Sequence, residues 1–552
     1  MSESVRLKMN WLLLLGFVLV YLWPIAYRPM IVPDEVRYAE IPREMIATGD
    51  WIVPRLNGLP YFEKPVMGYW LNALAMLAFG ENAFAARFPS AVSAGLSALM
   101  VGLLMRHATK DRTMTLLAPL IFLTCLEVTG TGVFAVLDGM LSAFLTMAMT
   151  AFYFASGSPR GSLREKGLLA IFGAFCGLAF LTKGFLAFAV PVVIIVPYMI
   201  WVGRWRDLFP MAVIPVLTAT LVALPWAIAV HLKAPDYWNY FFWQEHVKRF
   251  MADDAQHKAP VWTYLAAFPV ATLPWSVLIP AATVGMDRNQ RQTPLFRYAV
   301  CWLVFPLLFF SAASGKLLTY ILPCFPPFAI LMTQGLSAFF AGSRCRPVQI
   351  GILVLLVIFS MVLAALIVIQ ATGIGGFIPY DYFWKAGVAG AGVVLLVLCL
   401  LKGLKHGRVE GKLAFMALGM VLFLATIQWV LPDDTIEHKA PGNLLNRNAE
   451  RVTPNTALVS LEDPLRAVCW FYRRSDVYQL GPGGELAYGL TYPEGSQRLL
   501  DPARFRSLVS THQTGRVVLV GKAKHYRHWK EKLPPPIYED SSGPGGYVFS
   551  QY

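Results

Sequence analysis

Long apolar runs alternate with short polar connections through the first 431 residues. A helix needs roughly 20 apolar residues to cross about 30 Å of hydrocarbon, and about thirteen runs approach that length. Several runs are shorter and closely spaced, so the count is uncertain by about one or two helices. The predicted spans are residues 10–29, 84–105, 113–129, 134–156, 167–182, 184–202, 208–230, 262–286, 297–313, 317–340, 348–371, 383–401 and 412–431.

The composition supports this pattern. Of the 552 residues, 56% are apolar and 14% are charged, whereas soluble proteins carry about 25% charged residues. The sequence therefore predicts a polytopic α-helical membrane protein. Its seven cysteines are scattered, several of them inside apolar runs, and they indicate no disulfide framework.

Lysine and arginine are concentrated in alternate connections, and short basic loops stay on the cytoplasmic side of a membrane. Arg6 and Lys8 place the N-terminus on that side, and no small-residue cleavage site follows, which favours a retained first helix. An odd number of helices then puts the C-terminal region outside. The net charge of +14 is mostly a topology signal and does not indicate a nucleic-acid partner. The basic connections are 106–112, 160–166, 204–206, 288–297, 344–346 and 402–412.

The composition changes abruptly after Leu431. From Pro432 to Tyr552 charges, proline and glycine are frequent and no spanning run occurs. Short β-like runs alternate with turn-rich stretches such as GPGG at 481–484, which predicts a small α/β domain. The predicted domains are thus a transmembrane domain, 1–431, with interfacial helices in its first outer loop, 31–80, and a soluble α/β domain, 432–552.

The first outer loop is unusually charged. Residues 33–64 carry about ten charged side chains between two apolar spans, and such polar loops often hold functional residues. Pro33 and Asp34 predict a helix start, with the Asp34 carboxylate accepting from backbone N–H groups, and Gly49 predicts the stop. The helix 34–48 would lie along the membrane surface, with Asp34, Arg37, Tyr38 and Ile41 on one face.

The alternative without a functional role for this segment is an amphipathic surface helix held by ion pairs of Arg43 with Glu40 or Glu44. A second polar group follows in Tyr61, Glu63 and Lys64, and an apolar stretch to Phe79 is typical of another interfacial helix.

Isolated ionisable groups recur near the same predicted membrane face. They are Asp138, Lys183, Lys316 and Tyr320, to which the loop 231–260 adds Glu245, His246, Lys248, Arg249 and His257. Each alone is explained as a snorkelling or helix-capping residue, and the loop as an aromatic belt with solvated charges. Because charges at bilayer depth are costly, their concentration at one boundary favours a shared polar cavity.

The motifs PDEVRYAEIPREM, GDWIVPRLNG with YFEKP, LTKG and GKLLTYILP together resemble a known family. It is the lipid A aminoarabinose transferases, which belong to the polyprenyl-phosphate-dependent glycosyltransferases that include protein mannosyltransferases. The resemblance covers the transmembrane region well and the soluble tail less well. It implies the C-type glycosyltransferase fold, a carboxylate in the first periplasmic loop and a lipid-linked donor entering from the bilayer.

The residue types fit that chemistry. A polyprenyl phosphate needs cations and hydrogen-bond donors, and negative charge grows on it as the sugar leaves. Asp34 would position the acceptor, with Glu35 and Asp138 as further catalytic carboxylates. The predicted donor-phosphate ligands are Lys64, Arg249, Lys183, Lys316 and Tyr320. Tyr38, Tyr61, Arg37 and His246 are predicted as supporting residues, and Glu63 as a candidate ligand if a divalent cation binds.

The main hypothesis is an inverting transfer of 4-amino-4-deoxy-L-arabinose from undecaprenyl phosphate to lipid A in the bacterial inner membrane. The sugar's amino group would favour an acidic contact, Glu40 or Asp138. No cofactor is required, and oligomeric state is not readable from the sequence. The absence of a nucleotide-binding glycine loop disfavours a nucleotide-sugar donor, and the pair Asp253 and Asp254 is interpreted as solvated.

Two other functions remain open from the residues. One keeps the donor and changes the acceptor to protein or another glycan, which would make Asp34 an obligatory base for a hydroxyl. The other is a transporter or lipid flippase, which predicts internal repeats and ionisable groups midway through helices in both halves.

Overall fold

The computed structural model describes residues 3–248, 258–340 and 345–552. Helices dominate the chain up to residue 431. The α-helices are Glu3–Phe17, Asp34–Thr48, Met67–Phe79, Ala83–Ala108, Arg112–Leu123, Leu126–Gly132, Leu137–Ser156, Leu163–Lys183, Leu186–Trp201, Leu208–Lys233, Thr263–Ala271, Ile279–Gly285, Arg288–Gln292, Pro294–Ala312, Phe325–Ser337, Arg346–Thr372, Phe383–Lys405, Val409–Ile427, Asp433–Lys439, Gly442–Arg447, Leu465–Tyr472, Pro493–Ser496, Pro502–Thr511 and Ala523–Lys530.

Within the described residues, eight helices are long and apolar enough to cross a membrane, or up to ten if two bent helix pairs each form one span. The protein is therefore a multi-pass membrane protein. The eight are Ala83–Ala108, Leu137–Ser156, Leu163–Lys183, Trp205–Lys233, Pro294–Ala312, Arg346–Thr372, Phe383–Lys405 and Val409–Ile427.

Three predicted spans are not single straight helices. The span 113–129 is the pair Arg112–Leu123 and Leu126–Gly132, bent by 65°, and 262–286 is the pair Thr263–Ala271 and Trp275–Gly285, bent by 97°. The span 317–340 begins as the 3₁₀ helix Leu318–Cys324 and continues as Phe325–Ser337. Prolines at 274, 323, 326 and 327 lack the N–H that a continuous α-helix needs, and they account for two of these breaks.

The strands are β1 Arg55–Leu56, β2 Leu59–Pro60, β3 Ala457–Ser460, β4 Tyr478–Leu480, β5 Leu499–Leu500, β6 Val517–Lys522, β7 Tyr538–Ser541 and β8 Tyr547–Gln551. The C-terminal region forms a six-stranded mixed sheet in the order β5-β4-β3-β6-β8-β7. The pairs among β3, β4, β5 and β6 are parallel, and β8 pairs antiparallel with β6 and β7. Val459, Leu519 and Phe505 lie in its apolar core. The predicted α/β domain is confirmed.

The chain divides into two compact units. The membrane unit contains Met1–Ala26, Phe88–Gly373 and Phe383–Val430, and the mixed unit contains Tyr27–Arg87, Ile374–Tyr382 and Leu431–Tyr552. The mixed unit therefore combines the first loop with the C-terminal sheet, whereas the sequence analysis assigns the two segments to different domains.

Asn57 joins the two segments of the mixed unit. Its side-chain amide donates to the Val477 carbonyl at 2.7 Å, and its oxygen accepts from the Val477 N–H at 2.9 Å. Asn57 is buried and has a φ of 57°, a left-handed conformation that asparagine tolerates better than most residues. One loop residue thus satisfies both backbone groups of a residue 420 positions away.

The predicted first-loop helix is confirmed as Asp34–Thr48, and Gly49 ends it with a φ of 69°. One detail of the prediction is wrong. The Asp34 carboxylate makes no cap hydrogen bond, since Pro33 is the capping residue. Every residue from Glu35 to Met45 is buried, which contradicts the alternative of an amphipathic surface helix with one solvated side. The position along the membrane surface stays a prediction.

Candidate active site

Asp138, Lys183 and Tyr320 form the lysine cluster of the membrane unit. The Lys183 ammonium lies 2.6 Å from Asp138 Oδ1 and 4.8 Å from the centroid of the Tyr320 ring. Asp138 lies in the first turn of Leu137–Ser156, and Lys183 is the last residue of Leu163–Lys183. Helix N-termini favour anions and C-termini favour cations, so both charges stand where helix dipoles stabilise them.

The lysine cluster lines a small pocket. Its other walls include Thr319 and the apolar side chains of Leu141 and Phe310. The pocket volume is about 10 Å³, which is room for about one water molecule. A phosphate that paired with Lys183 would therefore have to displace side chains, and it would compete with Asp138 for the ammonium.

The Lys316 side chain is hydrogen-bonded to backbone carbonyls. Its buried ammonium donates to the carbonyls of Ala259, at 3.0 Å, and Ala313. Ala313 directly follows the helix Pro294–Ala312, whose last carbonyls favour a cation. This geometry favours the capping alternative for Lys316 over phosphate binding.

Asp34, Arg37, Glu485 and Arg466 form the first-loop cluster of the mixed unit. Arg37 donates to Asp34 Oδ1 at 3.0 Å, one helical turn away, so the predicted common face of these two residues is confirmed. The Asp34 side chain is 43% exposed, whereas Arg37 is buried. Asp34 is therefore a partly exposed carboxylate that is ion-paired with a buried arginine.

Glu485 of the C-terminal region also accepts from Arg37, and its second oxygen accepts from Arg466 Nε at 3.0 Å. Burial raises the pKa of Glu485, but the charges of Arg37 and Arg466 outweigh it and the net pKa is lowered. Sequence reasoning missed both Glu485 and Arg466, because a partner 448 positions away leaves no local signal.

Glu35 lies at the centre of a buried ion-pair network. Its oxygens accept from Arg28 at 2.8 Å, from Arg87 at 2.6 and 2.8 Å and from the Ile31 N–H at 2.9 Å. Burial raises the pKa of Glu35, but Arg87 and then Arg28 outweigh it, and the net pKa is lowered. The carboxylate is fully buried and its acceptor positions are used, so the geometry favours a positioning role over the catalytic one predicted for it.

The tyrosines predicted as supporting residues are buried beside Arg37. The Arg37 guanidinium lies 5.5 Å from the centroid of the Tyr38 ring, a cation–π distance. Burial raises the pKa of Tyr61 well above its usual value. Its hydroxyl therefore stays protonated and can donate a hydrogen bond. Lys64 is half-buried and donates to the Glu63 carbonyl at 2.8 Å.

Glu40, Arg43 and Glu44 are buried on the same helix. Arg43 makes a two-pronged contact with Glu40 at 2.6 and 2.7 Å, as the surface-helix alternative predicts, but in the interior. Burial raises the pKa of Glu40 to about 8. Because Glu40 is buried and paired with Arg43, the geometry favours Asp138 over Glu40 for the predicted contact with the sugar amine.

Part of the prediction falls outside the described residues. These are Arg249, Asp253, Asp254 and His257, and the side chains of Glu245, His246 and Lys248. Among the side chains that the structure describes, no three histidine, cysteine or acidic residues lie close enough to hold a metal ion.

Two family models match the chain. Residues 10–241 match the dolichyl-phosphate-mannose-protein mannosyltransferase model, and residues 436–549 match the C-terminal domain of the arabinosyl transferase ArnT. The curated relatives match at greater length. An undecaprenyl phosphate-alpha-4-amino-4-deoxy-L-arabinose arabinosyl transferase of Shewanella sediminis is 39% identical over 512 residues, 92% of each chain. The enzyme of that name from Aeromonas salmonicida is 40% identical, over 93% of this chain and 94% of its own.

Solved structures show the same fold. ArnT from Cupriavidus metallidurans bound to undecaprenyl phosphate has a TM-score of 0.82 at 23% identity and covers 98% of each chain. This confirms the predicted C-type glycosyltransferase fold, and the relatives make the chain a glycosyltransferase and not a transporter. By its identity over more than nine-tenths of its length, the chain belongs to the undecaprenyl phosphate-4-amino-4-deoxy-L-arabinose arabinosyl transferase family.

Proposed function

We propose that the protein transfers 4-amino-4-deoxy-L-arabinose from undecaprenyl phosphate to a phosphate of lipid A. The observation that carries this proposal is the identity of 39% over 92% of the chain with a relative named for that donor. Undecaprenyl phosphate, the carrier lipid of the proposed donor, is also the ligand bound to the Cupriavidus metallidurans enzyme that shares this fold.

The lysine cluster supports a role in donor binding. Lys183 offers a largely shielded ammonium, and Tyr320 lines the same pocket. A charged donor to a phosphate oxygen is among the stronger hydrogen bonds available in proteins. In this proposal the donor phosphate takes Asp138's place at Lys183, and the displaced Asp138 faces the sugar amine. Lys64 and Arg249 remain proposed as additional phosphate ligands.

The first-loop cluster supports a role for Asp34 at the acceptor. A lipid A phosphate is already ionised near neutral pH, so it needs orientation more than deprotonation. An acceptor phosphate oxygen attacks the anomeric carbon as the bond from that carbon to the donor phosphate oxygen breaks. The leaving electron pair stays on undecaprenyl phosphate, where Lys183 stabilises it. One displacement inverts the anomeric configuration.

The proposed location is the bacterial inner membrane, with the N-terminus in the cytoplasm and the reaction and C-terminal region in the periplasm. The basic alternate connections support this orientation. An added amino sugar lowers the negative charge of lipid A, and weaker attraction for polymyxin and other cationic peptides follows.

A second acceptor class has one observation in its favour. The family model matched by residues 10–241 describes a mannosyltransferase that acts on proteins. Transfer to a protein hydroxyl would require Asp34 to remove a proton. This candidate is second because the relatives that match more than nine-tenths of the chain carry the arabinosyl transferase name.

The test is mass spectrometry of lipid A from a strain that lacks the protein, complemented with the full chain, with Asp34→Asn or with Asp381→Asn. Asp381 is an exposed carboxylate of the mixed unit and serves as the matched control. We expect the aminoarabinose adduct with the full chain and with Asp381→Asn, and its loss with Asp34→Asn at equal protein level. Adduct formation by Asp34→Asn would remove Asp34 from the site, and its absence with the full chain would overturn the proposed acceptor.

A further inference from the structure

Four alternating charges connect the first-loop helix to the C-terminal region inside the mixed unit. In order they are Asp34, Arg37, Glu485 and Arg466, and each is ion-paired with the next. Side-chain exposure is 43% for Asp34, 10% for Arg37 and 6% for Arg466. Of the two ends of the row, Asp34 is partly solvent-exposed and Arg466 is buried. Asp34 is the carboxylate proposed to contact the acceptor.

Arg37 is held by two carboxylates from different directions. Its Nη1 donates to Asp34 and its Nη2 to Glu485, and a guanidinium presents its donors in a rigid planar fork. Its buried Nε has no hydrogen-bond partner among the described residues. The orientation of the guanidinium therefore depends on these two carboxylates.

Glu485 lies in a tight turn that begins with a glycine of positive φ. Gly484 precedes Glu485 with a φ of 51°, and a Cβ at Gly484 would lie 2.0 Å from the Glu462 side chain. A larger residue at Gly484 would be strained at this φ and would push the Glu462 side chain aside, so glycine suits the turn that places Glu485 beside Arg37. Arg466 then holds the other oxygen of Glu485.

We propose that Glu485 is a positioning residue for the transfer reaction, holding and neutralising Arg37 so that Asp34 stays available to the acceptor. Without Glu485, the buried Arg37 would have Asp34 as its remaining carboxylate partner in the row, and it would draw that carboxylate away from the acceptor. The C-terminal region thus contributes a charge to the chemistry. This inference rests on the role of Asp34 proposed above.

The experiment measures kcat and KM of the purified full-length protein with undecaprenyl phosphate-linked aminoarabinose and lipid A. Glu485→Gln keeps the size of the side chain and loses its charge, whereas Glu485→Asp keeps the charge and is shorter. We expect Glu485→Gln to lower kcat at least about tenfold with the donor KM within about twofold, as for loss of an interaction that acts after donor binding. Glu485→Asp should retain more activity than Glu485→Gln.

The reverse order, with Glu485→Gln more active than Glu485→Asp, would mean that Glu485 only packs, and it would overturn the inference. Glu81→Gln is the matched control, because Glu81 pairs with Arg473 in another contact between the loop and the C-terminal region and does not touch Arg37. It should keep the kcat of the unaltered protein.

Asp34→Asn separates the two proposals. If Asp34→Asn is inactive and Glu485→Gln has normal kcat, this inference fails and the role of Asp34 stands. If Asp34→Asn is fully active, the role of Asp34 fails, and the inference fails with it.

Discussion

The Lys183 ammonium lies 2.6 Å from Asp138 Oδ1, and each side chain is about 12 to 13% exposed. Because the ion pair is shielded from water, a phosphate can bind the Lys183 ammonium strongly only by replacing the Asp138 carboxylate. Lys183 and Asp138 should therefore have unequal effects on donor affinity.

Lys183→Gln should raise the donor KM by about tenfold or more, because a charged hydrogen bond to phosphate contributes roughly 1.5–3 kcal/mol. Asp138→Asn should change the donor KM less than Lys183→Gln does, because the lost contact with the sugar amine is offset by removal of the competitor for the ammonium. Steady-state kinetics with the lipid-linked sugar measure both. Lys402→Gln, at an exposed lysine of the membrane unit, is the control. An unchanged KM in Lys183→Gln would exclude Lys183 as a phosphate ligand.

Glu35→Gln should destabilise the protein strongly. It leaves Arg28 and Arg87 buried with one carboxylate fewer, and breaking a buried ion pair costs about 3–5 kcal/mol. We expect a lower midpoint of thermal unfolding in detergent and a lower yield of folded protein. Glu450→Gln, at an exposed glutamate of the same unit, should behave like the unaltered chain. A Glu35→Gln protein of normal stability and no activity would instead support the catalytic role predicted from the sequence.

Local signals were sufficient for the first-loop helix. Pro33 before it and Gly49 after it are near its ends in the sequence, and the structure has the helix between them. The spacing of Asp34 and Arg37 by three residues likewise predicts their contact. Pro323 in the sequence is a signal for the break in the span 317–340. The high hydropathy of that segment, taken alone, predicts a continuous span.

Long-range contacts account for what the sequence did not predict. Arg37 with Glu485 and Asn57 with Val477 are separated by 448 and 420 residues, and a single sequence contains no periodicity that links such positions. The burial of the first-loop helix follows from the same cause. Its charged residues are typical of an exposed surface, and only the tertiary partners make their burial favourable.

Asn57→Ala should cost the mixed unit more stability than Asn57→Gly. Both changes leave the Val477 N–H and carbonyl without their side-chain partners, at roughly 1–3 kcal/mol for each buried group left unsatisfied. Glycine adopts the φ of 57° freely, whereas alanine adds about 1–2 kcal/mol of backbone strain. Thermal unfolding of the two variants measures the difference. Equal stability of Asn57→Ala and the unaltered chain would show that the contact contributes nothing.

Glu40 should make the stability of the protein depend on pH near neutrality. Burial raises its pKa to about 8, with Arg43 opposing and the nearby Glu44 adding to the shift, and the pKa of Glu44 is itself raised by burial. A carboxyl group whose pKa is higher in the folded state binds its proton more tightly there, so folding is favoured while the group stays protonated. This contribution is complete below the ordinary carboxyl pKa of 4.5 and declines as pH rises to about 8.

The unfolding midpoint should therefore fall between pH 6 and pH 8.5 in the unaltered protein and fall less in Glu40→Gln, which carries no titrating proton at this position. Differential scanning fluorimetry in detergent across this range measures the slope. Glu539→Gln is the control, since Glu539 is an accessible partner of Lys530 and its ion pair contributes little. Parallel slopes for Glu40→Gln and the unaltered chain would mean that Arg43 keeps Glu40 ionised throughout, and that the pair is an ordinary buried salt bridge.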